Sequence, residues 1–183
     1  MVIVASCFLV LTSTISYASD EEHSNTNQSA RTDGSISVRI PVGMVTHEKT
    51  PSGDELAIND FGRLLIPGKP NLPSKIFSIA IPPGAVFVDL SYTLGDAIVL
   101  PNQYDIPPVP MAQVNGQGYD EIQSKEEQCY ADNYAATYRV DTLYPASIVQ
   151  FERTAGYRHY NLVDVRINPV QYAPVSGTLS YYP

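Results

Sequence analysis

The chain has 183 residues, a hydrophobic content of 44% and a formal net charge of −8, from 19 acidic and 11 basic side chains. This length suits one ordinary domain, and the hydrophobic content is sufficient for a buried core. The acidic balance repels phosphate backbones and anionic lipid, so it argues against binding to nucleic acid or to a membrane surface.

The amino-terminal residues have the composition of a targeting segment followed by a linker. An apolar block at 2–11 leads to Ser16-Tyr17-Ala18, which has small residues at the −3 and −1 positions of a cleavage site. No lysine or arginine precedes the block, which is shorter than the roughly 20 residues that span a bilayer. We therefore predict a signal peptide at 1–18, a flexible polar leader at 19–34 and a folded domain at 35–183. The protein is then secreted or lies at the cell surface, with no membrane attachment after cleavage.

Short apolar and polar alternations begin at residue 35. The stretch 35–41 alternates in this way and predicts a half-buried strand. Further strands are predicted at 44–48 and 55–58, and the turn-forming residues at 49–54 between them predict a hairpin.

A second turn signal is formed by Pro82-Pro83-Gly84. Alternating residues at 77–81 precede it and 86–92 follow it, which predicts another strand–turn–strand hairpin. The stretch 101–118 is rich in Pro, Gln, Gly and Asn and predicts an extended connection.

The most polar part of the folded region is 121–132. Tyr130, Tyr134 and Tyr138 recur every four residues. This spacing fits one face of a helix, but it also fits one face of a strand, because four is an even number. A short helical turn and an irregular excursion are both compatible with the segment.

The closing stretch begins with a strand at 161–168, in which apolar and polar residues alternate. Pro169 interrupts it, 173–177 has the residues of a turn, and a second strand is predicted at 178–182, giving an antiparallel hairpin. Short strands with frequent turn signals along the whole chain predict an all-β fold, an antiparallel two-sheet β-sandwich with long Pro/Gly-rich connections.

No residue pattern identifies an active site, a metal site or a cofactor, and we predict none. With cleavage after Ala18, Cys129 is the one cysteine of the mature chain, and we interpret it as a free, partly buried thiol. No HExxH or CxxC spacing occurs, and His159 is interpreted as a surface or cross-strand residue. Gly116-Gln117-Gly118 lacks the setting of a phosphate loop.

Three blocks, taken together, resemble the amino-terminal propeptide domain of gingipain-type cysteine peptidases. The first block is Gly68 to Ala85, the second joins Tyr144-Pro145 to Gly156-Tyr157-Arg158, and the third is Val163 to Leu179. The positions that carry the match are interpreted as structural: Pro82, Gly84, Gly156, Tyr157, Arg158, Pro169, Tyr172 and Gly177.

The resemblance implies a secreted prodomain that is not itself an enzyme. Its partner is a cysteine peptidase catalytic domain, expected downstream and absent here, which the prodomain helps to fold and whose active site it masks. Such an inhibitor can place a basic side chain in the specificity pocket of a peptidase that cleaves after Arg or Lys. Lys125 and Arg139 flank the polar excursion at 121–141, so they are the candidates for an exposed inhibitory loop. No family motif aligns with either residue.

Two other functions are compatible with the residues. A β-sandwich binding module, an adhesin or a carbohydrate-binding domain of a larger cell-surface protein, is the first alternative. A hydrolase of unknown type is the second, although no pair of acidic residues is singled out by the sequence.

Overall fold

The computed structural model of the protein describes residues 11–20, 31–113, 120–158 and 160–183. Parts of the predicted signal peptide and leader, together with Gly116-Gln117-Gly118 and His159, lie outside the described residues. The described ranges contain twelve strands and one helix: β1 (Leu11–Asp20), β2 (Arg31–Ile40), β3 (Val45–Thr50), β4 (Gly53–Ile58), β5 (Gly62–Arg63), β6 (Pro73–Ile81), β7 (Ala85–Thr93), β8 (Ile98–Val99), α1 (Asp120–Tyr138), β9 (Val149–Tyr157), β10 (Tyr160–Ile167), β11 (Val170–Ala173) and β12 (Thr178–Tyr181).

These strands form small sheets in which neighbouring strands are antiparallel. The largest has the order β5-β6-β10-β9, two three-stranded sheets have the orders β2-β1-β7 and β11-β12-β8, and β3 pairs with β4. The predicted all-β fold with antiparallel pairing is confirmed, and so is the hairpin of β3 and β4, whose turn lies at Pro51-Ser52.

The buried apolar side chains form two clusters. The first contains the inward face of the largest sheet together with residues from β2 and β7: Ile40, Ile79, Ile81, Ala85, Ile148, Val149, Val163, Val165 and Ile167. The second joins the β3–β4 hairpin to the closing strands: Leu56, Ile58, Leu72, Tyr104, Ile106, Val170, Tyr172, Leu179 and Tyr181. Burying apolar area in these clusters is the main force that holds the sheets together.

The turn at Pro82-Pro83-Gly84 does not close a hairpin, contrary to prediction. The amide of Ala85 donates to the carbonyl oxygen of Pro82 at 3.1 Å, and Gly84 has a φ of +78°, which is the geometry of a type II turn. Both edges of β6 are already paired, with β5 and β10, and β7 pairs with β1 instead. The turn therefore leads the chain from one sheet into another.

The closing hairpin exists, but its first arm is not the predicted one. The alternating strand β10 pairs with β6 and β9, whereas β12 pairs with β11. Pro169, between β10 and β11, has no amide hydrogen to donate to a sheet, and its carbonyl oxygen accepts from the amide of Tyr182 at 2.9 Å. Pro169 thus marks the passage from the first cluster to the second.

The segment 11–20 is strand β1, which lies between β2 and β7. It overlaps the predicted signal peptide, and cleavage after Ala18 stays a prediction. Strand β2 begins at Arg31, within the segment that we predicted as a flexible leader.

Candidate functional site

Helix α1 has few contacts with the core, to which its last residue, Tyr138, packs. Among its side chains only Thr137 is buried. Hydrogen bonds between residues four positions apart run along it, from Gln123 to Glu127 at 3.2 Å and from Gln128 to Asp132 at 2.8 Å. A helix that is polar on all sides is typical of an element that bridges solvent or contacts another domain.

The polar segment forms the full helix α1, and not the short helical turn or irregular excursion that the sequence suggested. Residues 119–143 contain neither glycine nor proline, in a chain with 15 prolines and 11 glycines, and this signal identifies the helix. The tyrosine spacing is helical: the rings of Tyr130 and Tyr134 stack at 6.4 Å, and those of Tyr134 and Tyr138 at 4.7 Å.

The carboxyl-terminal half of α1 is anchored to two loop segments. The Tyr138 hydroxyl donates to the carbonyl oxygen of Ile106 at 2.7 Å, and the Asn133 amide donates to the carbonyl oxygen of Pro67 at 3.0 Å. Gly68 has a φ of +81°, and a β-carbon there would lie 2.4 Å from the carbonyl oxygen of Tyr130. The close approach of helix and loop therefore requires glycine at this position.

The amino-terminal half of α1 lies exposed. The helix carries five acidic side chains and one lysine, and two of the acidic residues, Asp120 and Glu121, lie in its first turn, where carboxylates interact favourably with the helix dipole. Only the half from Tyr130 onward makes the anchoring contacts described above. In the amino-terminal half, the Gln123 side-chain amide contacts the Met111 sulfur at 3.8 Å, and most of the other side chains are exposed.

Lys125 and Arg139 are both exposed. Lys125 lies within α1, not on a loop as predicted, because the polar segment is helical. Arg139 lies in the turn that follows α1, and exposed Val140 and Leu143 come after it. A helix rises about 1.5 Å per residue, so about 20 Å separate the two basic residues and only one of them can enter a given specificity pocket.

Cys129 is exposed on α1, which corrects the prediction of a partly buried thiol. Its sulfur lies 3.6 Å from the side-chain amide nitrogen of Asn133, and an amide cannot act as a general base. The described part of the chain has no group of three or more His, Cys, Asp or Glu side chains arranged to hold a metal ion. It also has no helix that is both long and apolar enough to cross a membrane.

The positions of the first two blocks that were interpreted as structural lie in turns or at the end of a strand. Pro82 and Gly84 form the turn from β6 to β7 described above. Gly156 and Tyr157 end strand β9, and Arg158 follows in the turn to β10 with a φ of +57°. The Arg158 guanidinium lies 5.5 Å from the centre of the Tyr157 ring, which is the geometry of a cation–π contact.

The three positions of the third block that were interpreted as structural, Pro169, Tyr172 and Gly177, lie in and around the second cluster. Tyr172 is 2% exposed, and its hydroxyl donates to the carbonyl oxygen of Tyr104 at 2.8 Å. Gly177, in the β11–β12 turn, accepts a hydrogen bond from the amide of Tyr104 at 2.9 Å. Pro169 is buried just before β11. Tyr172 and Gly177 thus hold the 104–106 segment, and this segment in turn holds Tyr138 of α1.

Two solved structures are similar to the chain. One is described as structural insight into the zymogenic latency of gingipain K from Porphyromonas gingivalis, with 22% identity, a TM-score of 0.51, and coverage of 77% of this chain and 76% of that one. The other is a complex of Porphyromonas gingivalis RgpB pro- and mature domains, with 19% identity, a TM-score of 0.49, and coverage of 77% and 70%. At these identities the likeness concerns the fold. No curated protein matches the chain.

The sequence itself matches the Propeptide_C25 family over residues 36–183, which is most of the chain. The match includes all three blocks on which the resemblance was based, and it covers α1 as well. The chain therefore belongs to the Propeptide_C25 family, and it is a propeptide domain, a non-catalytic region of a cysteine peptidase zymogen.

Proposed function

We propose that the domain assists the folding of a gingipain-like cysteine peptidase domain of the same precursor and inhibits that domain until the propeptide is removed. Membership of the propeptide family is the observation that carries this proposal. The proposal also includes cleavage after Ala18, followed by secretion or display at the cell surface. A secreted product whose amino terminus is Ser19 would support that part, and a product that retains 1–18 would contradict it.

Helix α1 is the proposed inhibitory element. Its amino-terminal half is polar and exposed, while its carboxyl-terminal half is held by the bonds to Pro67 and Ile106. A rigid anchor reduces the entropy that is lost when the exposed half binds a partner. Lys125 and Arg139 are the two basic side chains that this arrangement offers to a pocket that recognises Arg or Lys.

The test measures inhibition of the separately purified peptidase domain by the propeptide added in trans. Lys125→Glu and Arg139→Glu are compared singly, because only one of them is expected to occupy the pocket. Reversing the charge of the pocket residue should weaken inhibition by about 30-fold or more, which corresponds to the ~2 kcal/mol of an interface hot spot. Inhibition that is unchanged by both substitutions would exclude these two residues.

Arg39→Glu is the matched control, because Arg39 is an exposed basic residue on strand β2, away from α1. It makes the same change in net charge, so it separates pocket occupation from a general electrostatic effect. The folding role is tested by refolding the denatured peptidase domain with and without the propeptide. The recovered activity, measured after removal of the propeptide, should be higher when the propeptide was present during refolding.

A further inference from the structure

An open cleft of about 350 Å³ lies between strand β7 and the hairpin of β9 and β10. Residues 85–87 line one side of it, 154–156 and 161–162 line the other, and buried Ile81 also contributes. Binding clefts in proteins commonly have volumes of roughly 300–1,000 Å³. None of the lining residues takes part in the contacts of α1 described above, so the cleft is a separate surface feature.

Gly156 provides part of the open space. It pairs across the hairpin with Asn161, and cross-strand partners share one face of a sheet. The Asn161 amide donates to the carbonyl oxygen of Ala85 on β7 at 3.0 Å, so that face is turned toward β7. Gly156 has no positive φ, and a β-carbon there would meet no atom within 4 Å. Neither the backbone nor the packing of the free domain therefore requires glycine at this position.

The chemistry of the lining favours an apolar occupant. The described residues that line the cleft are uncharged, in a chain with a formal net charge of −8. Its two polar side chains are Thr154 and Asn161, and the Asn161 amide is already bonded to Ala85. Small-molecule sites usually have several polar groups that converge on the ligand. Burying a charged or polar group here would cost free energy without a matching partner, whereas an apolar side chain fits.

Exposed aromatic and aliphatic side chains flank the cleft. Val86 on β7 is 66% exposed, and Tyr157 and Tyr160, a cross-strand pair at the tip of the hairpin, are 59% and 56% exposed. Arg158 lies in the turn beside Tyr157, with its guanidinium over the tyrosine ring. Tyr and Arg are enriched among the residues that contribute most to protein–protein binding, and clustered apolar surface commonly marks an interface. This surrounding surface favours a protein partner over a small ligand.

We propose that the cleft is an anchor site for the peptidase domain of the same precursor, and that it receives a large apolar side chain, such as Phe, Leu or Met, from that domain. A propeptide and its peptidase domain are regions of one zymogen. Covalent linkage gives such domains an effective concentration on the order of millimolar, with which any separate protein must compete. This inference rests on the proposed function, in which the two domains bind each other.

The decisive variant is Gly156→Leu, which fills the cleft from the side of the propeptide. The site has room for the new side chain, and leucine is more favourable than glycine in a strand, so the thermal stability of the free chain should be unchanged or slightly raised. Its affinity for the separately purified peptidase domain, with the active site blocked by a covalent inhibitor, should fall by about tenfold or more, because the anchoring side chain is excluded.

Gly62→Leu is the matched control. Gly62 is exposed on β5, at the opposite edge of the sheet that ends with β9, and a β-carbon there would lie 3.6 Å from the nearest atom, the carbonyl oxygen of Ser74. This variant should bind with wild-type affinity. Val86→Ser removes apolar area beside the cleft without filling it, and should weaken binding by about threefold to tenfold. Its control is Val99→Ser on β8, where the valine is 62% exposed.

Wild-type affinity in both Gly156→Leu and Val86→Ser would overturn the cleft proposal while leaving the prodomain function intact. An equal loss of affinity in Gly62→Leu would overturn it too, since the effect would not be specific to the cleft. A marked loss of thermal stability in Gly156→Leu would contradict the open space on which the proposal depends. If Gly156→Leu abolishes self-association of the chain but keeps wild-type affinity for the peptidase domain, the cleft binds a second copy and the proposal is wrong. If the wild-type chain does not bind the peptidase domain at all, the proposed function itself fails.

Discussion

Tyr138 donates its hydroxyl to the carbonyl oxygen of Ile106 at 2.7 Å, and this bond joins the last residue of α1 to the segment at 104–106. Ile106 is fully buried, and its amide donates to the Tyr172 hydroxyl at 3.4 Å. Burial raises the pKa of Tyr138, which favours the protonated hydroxyl that donates this bond. The helix is thus attached to the second cluster through Ile106, whose amide and carbonyl oxygen are each bonded to a tyrosine hydroxyl.

Tyr138→Phe tests this attachment. The substitution leaves the buried carbonyl oxygen of Ile106 without its donor, so the free energy of unfolding should fall by about 1–2 kcal/mol. Urea denaturation measures the change, and amide hydrogen exchange should show faster exchange in the last two turns of α1. Tyr134→Phe is the control, because the Tyr134 ring lies in the same stack and its side chain is 38% exposed. An equal loss in both variants would show that the bond to Ile106 makes no specific contribution to stability.

Gly68→Ala tests the close approach of α1 to the loop. The new β-carbon would lie 2.4 Å from the carbonyl oxygen of Tyr130, on a residue with a φ of +81°. Helix and loop must separate, at a cost of about 2 kcal/mol or more, since a non-glycine residue in this region of φ is already strained. Gly156→Ala is the control: its β-carbon would meet no atom within 4 Å, so a change of under about 0.5 kcal/mol is expected. Thermal unfolding of both variants compares the two sites, and equal stability of the two would contradict the packing described here.

The free energy of unfolding of the domain should decrease at low pH, because two aspartates have lowered pKa values in the folded state. The pKa of Asp54 is lowered, first by the hydrogen bond from the Asp105 amide and then by that from His47. The pKa of Asp164 is lowered by the hydrogen bond from Ser78 and then by that from Arg153. A carboxylate whose pKa is lower in the folded state stabilises the protein above its unfolded pKa, which is about 4 for aspartate. That contribution disappears as the pH falls through the folded pKa.

Asp54→Asn combined with Asp164→Asn measures the effect. Urea titrations between about pH 6 and pH 2 should show a shallower loss of stability in the double variant than in the wild type, because fewer protons are taken up on unfolding. Asp96→Asn, at an exposed position between β7 and β8, should keep the wild-type slope. If the free energy of unfolding depended on pH equally in all three proteins, other carboxylates would account for the loss of stability in acid.

The sequence predicted which residues are buried better than it predicted which strands pair. Alternation in β6 and β10 correctly identified the faces that enter the core, but in β7 Val86 and Val88 are exposed and Ala85 and Phe87 pack on the first cluster instead. It did not identify their partners, because alternation reports the orientation of side chains, whereas pairing depends on which strand edge is free. The β3–β4 hairpin was predictable because its turn is short and both strands lack another neighbour in the described residues.

The candidate site was less predictable than the fold. Helix α1 has no apolar stripe, and its four-residue tyrosine spacing fitted a strand as well as a helix, so only the absence of glycine and proline distinguished it. The anchors of the helix lie far from it in sequence, at Pro67, Gly68 and Ile106, and no local pattern links such positions. The roles of Lys125 and Arg139 remain predictions that the inhibition assay decides.

The passage of the chain at Pro169 has a consequence for synthesis on the ribosome. Val163, Val165 and Ile167 complete the first cluster, and Leu179 and Tyr181 complete the second, so the same late stretch of chain supplies both. Neither cluster can form before that stretch has left the ribosomal exit tunnel. Until then, the apolar faces of the earlier strands remain exposed. The domain is therefore expected to fold in one step at the end of its own translation, without an earlier folded half.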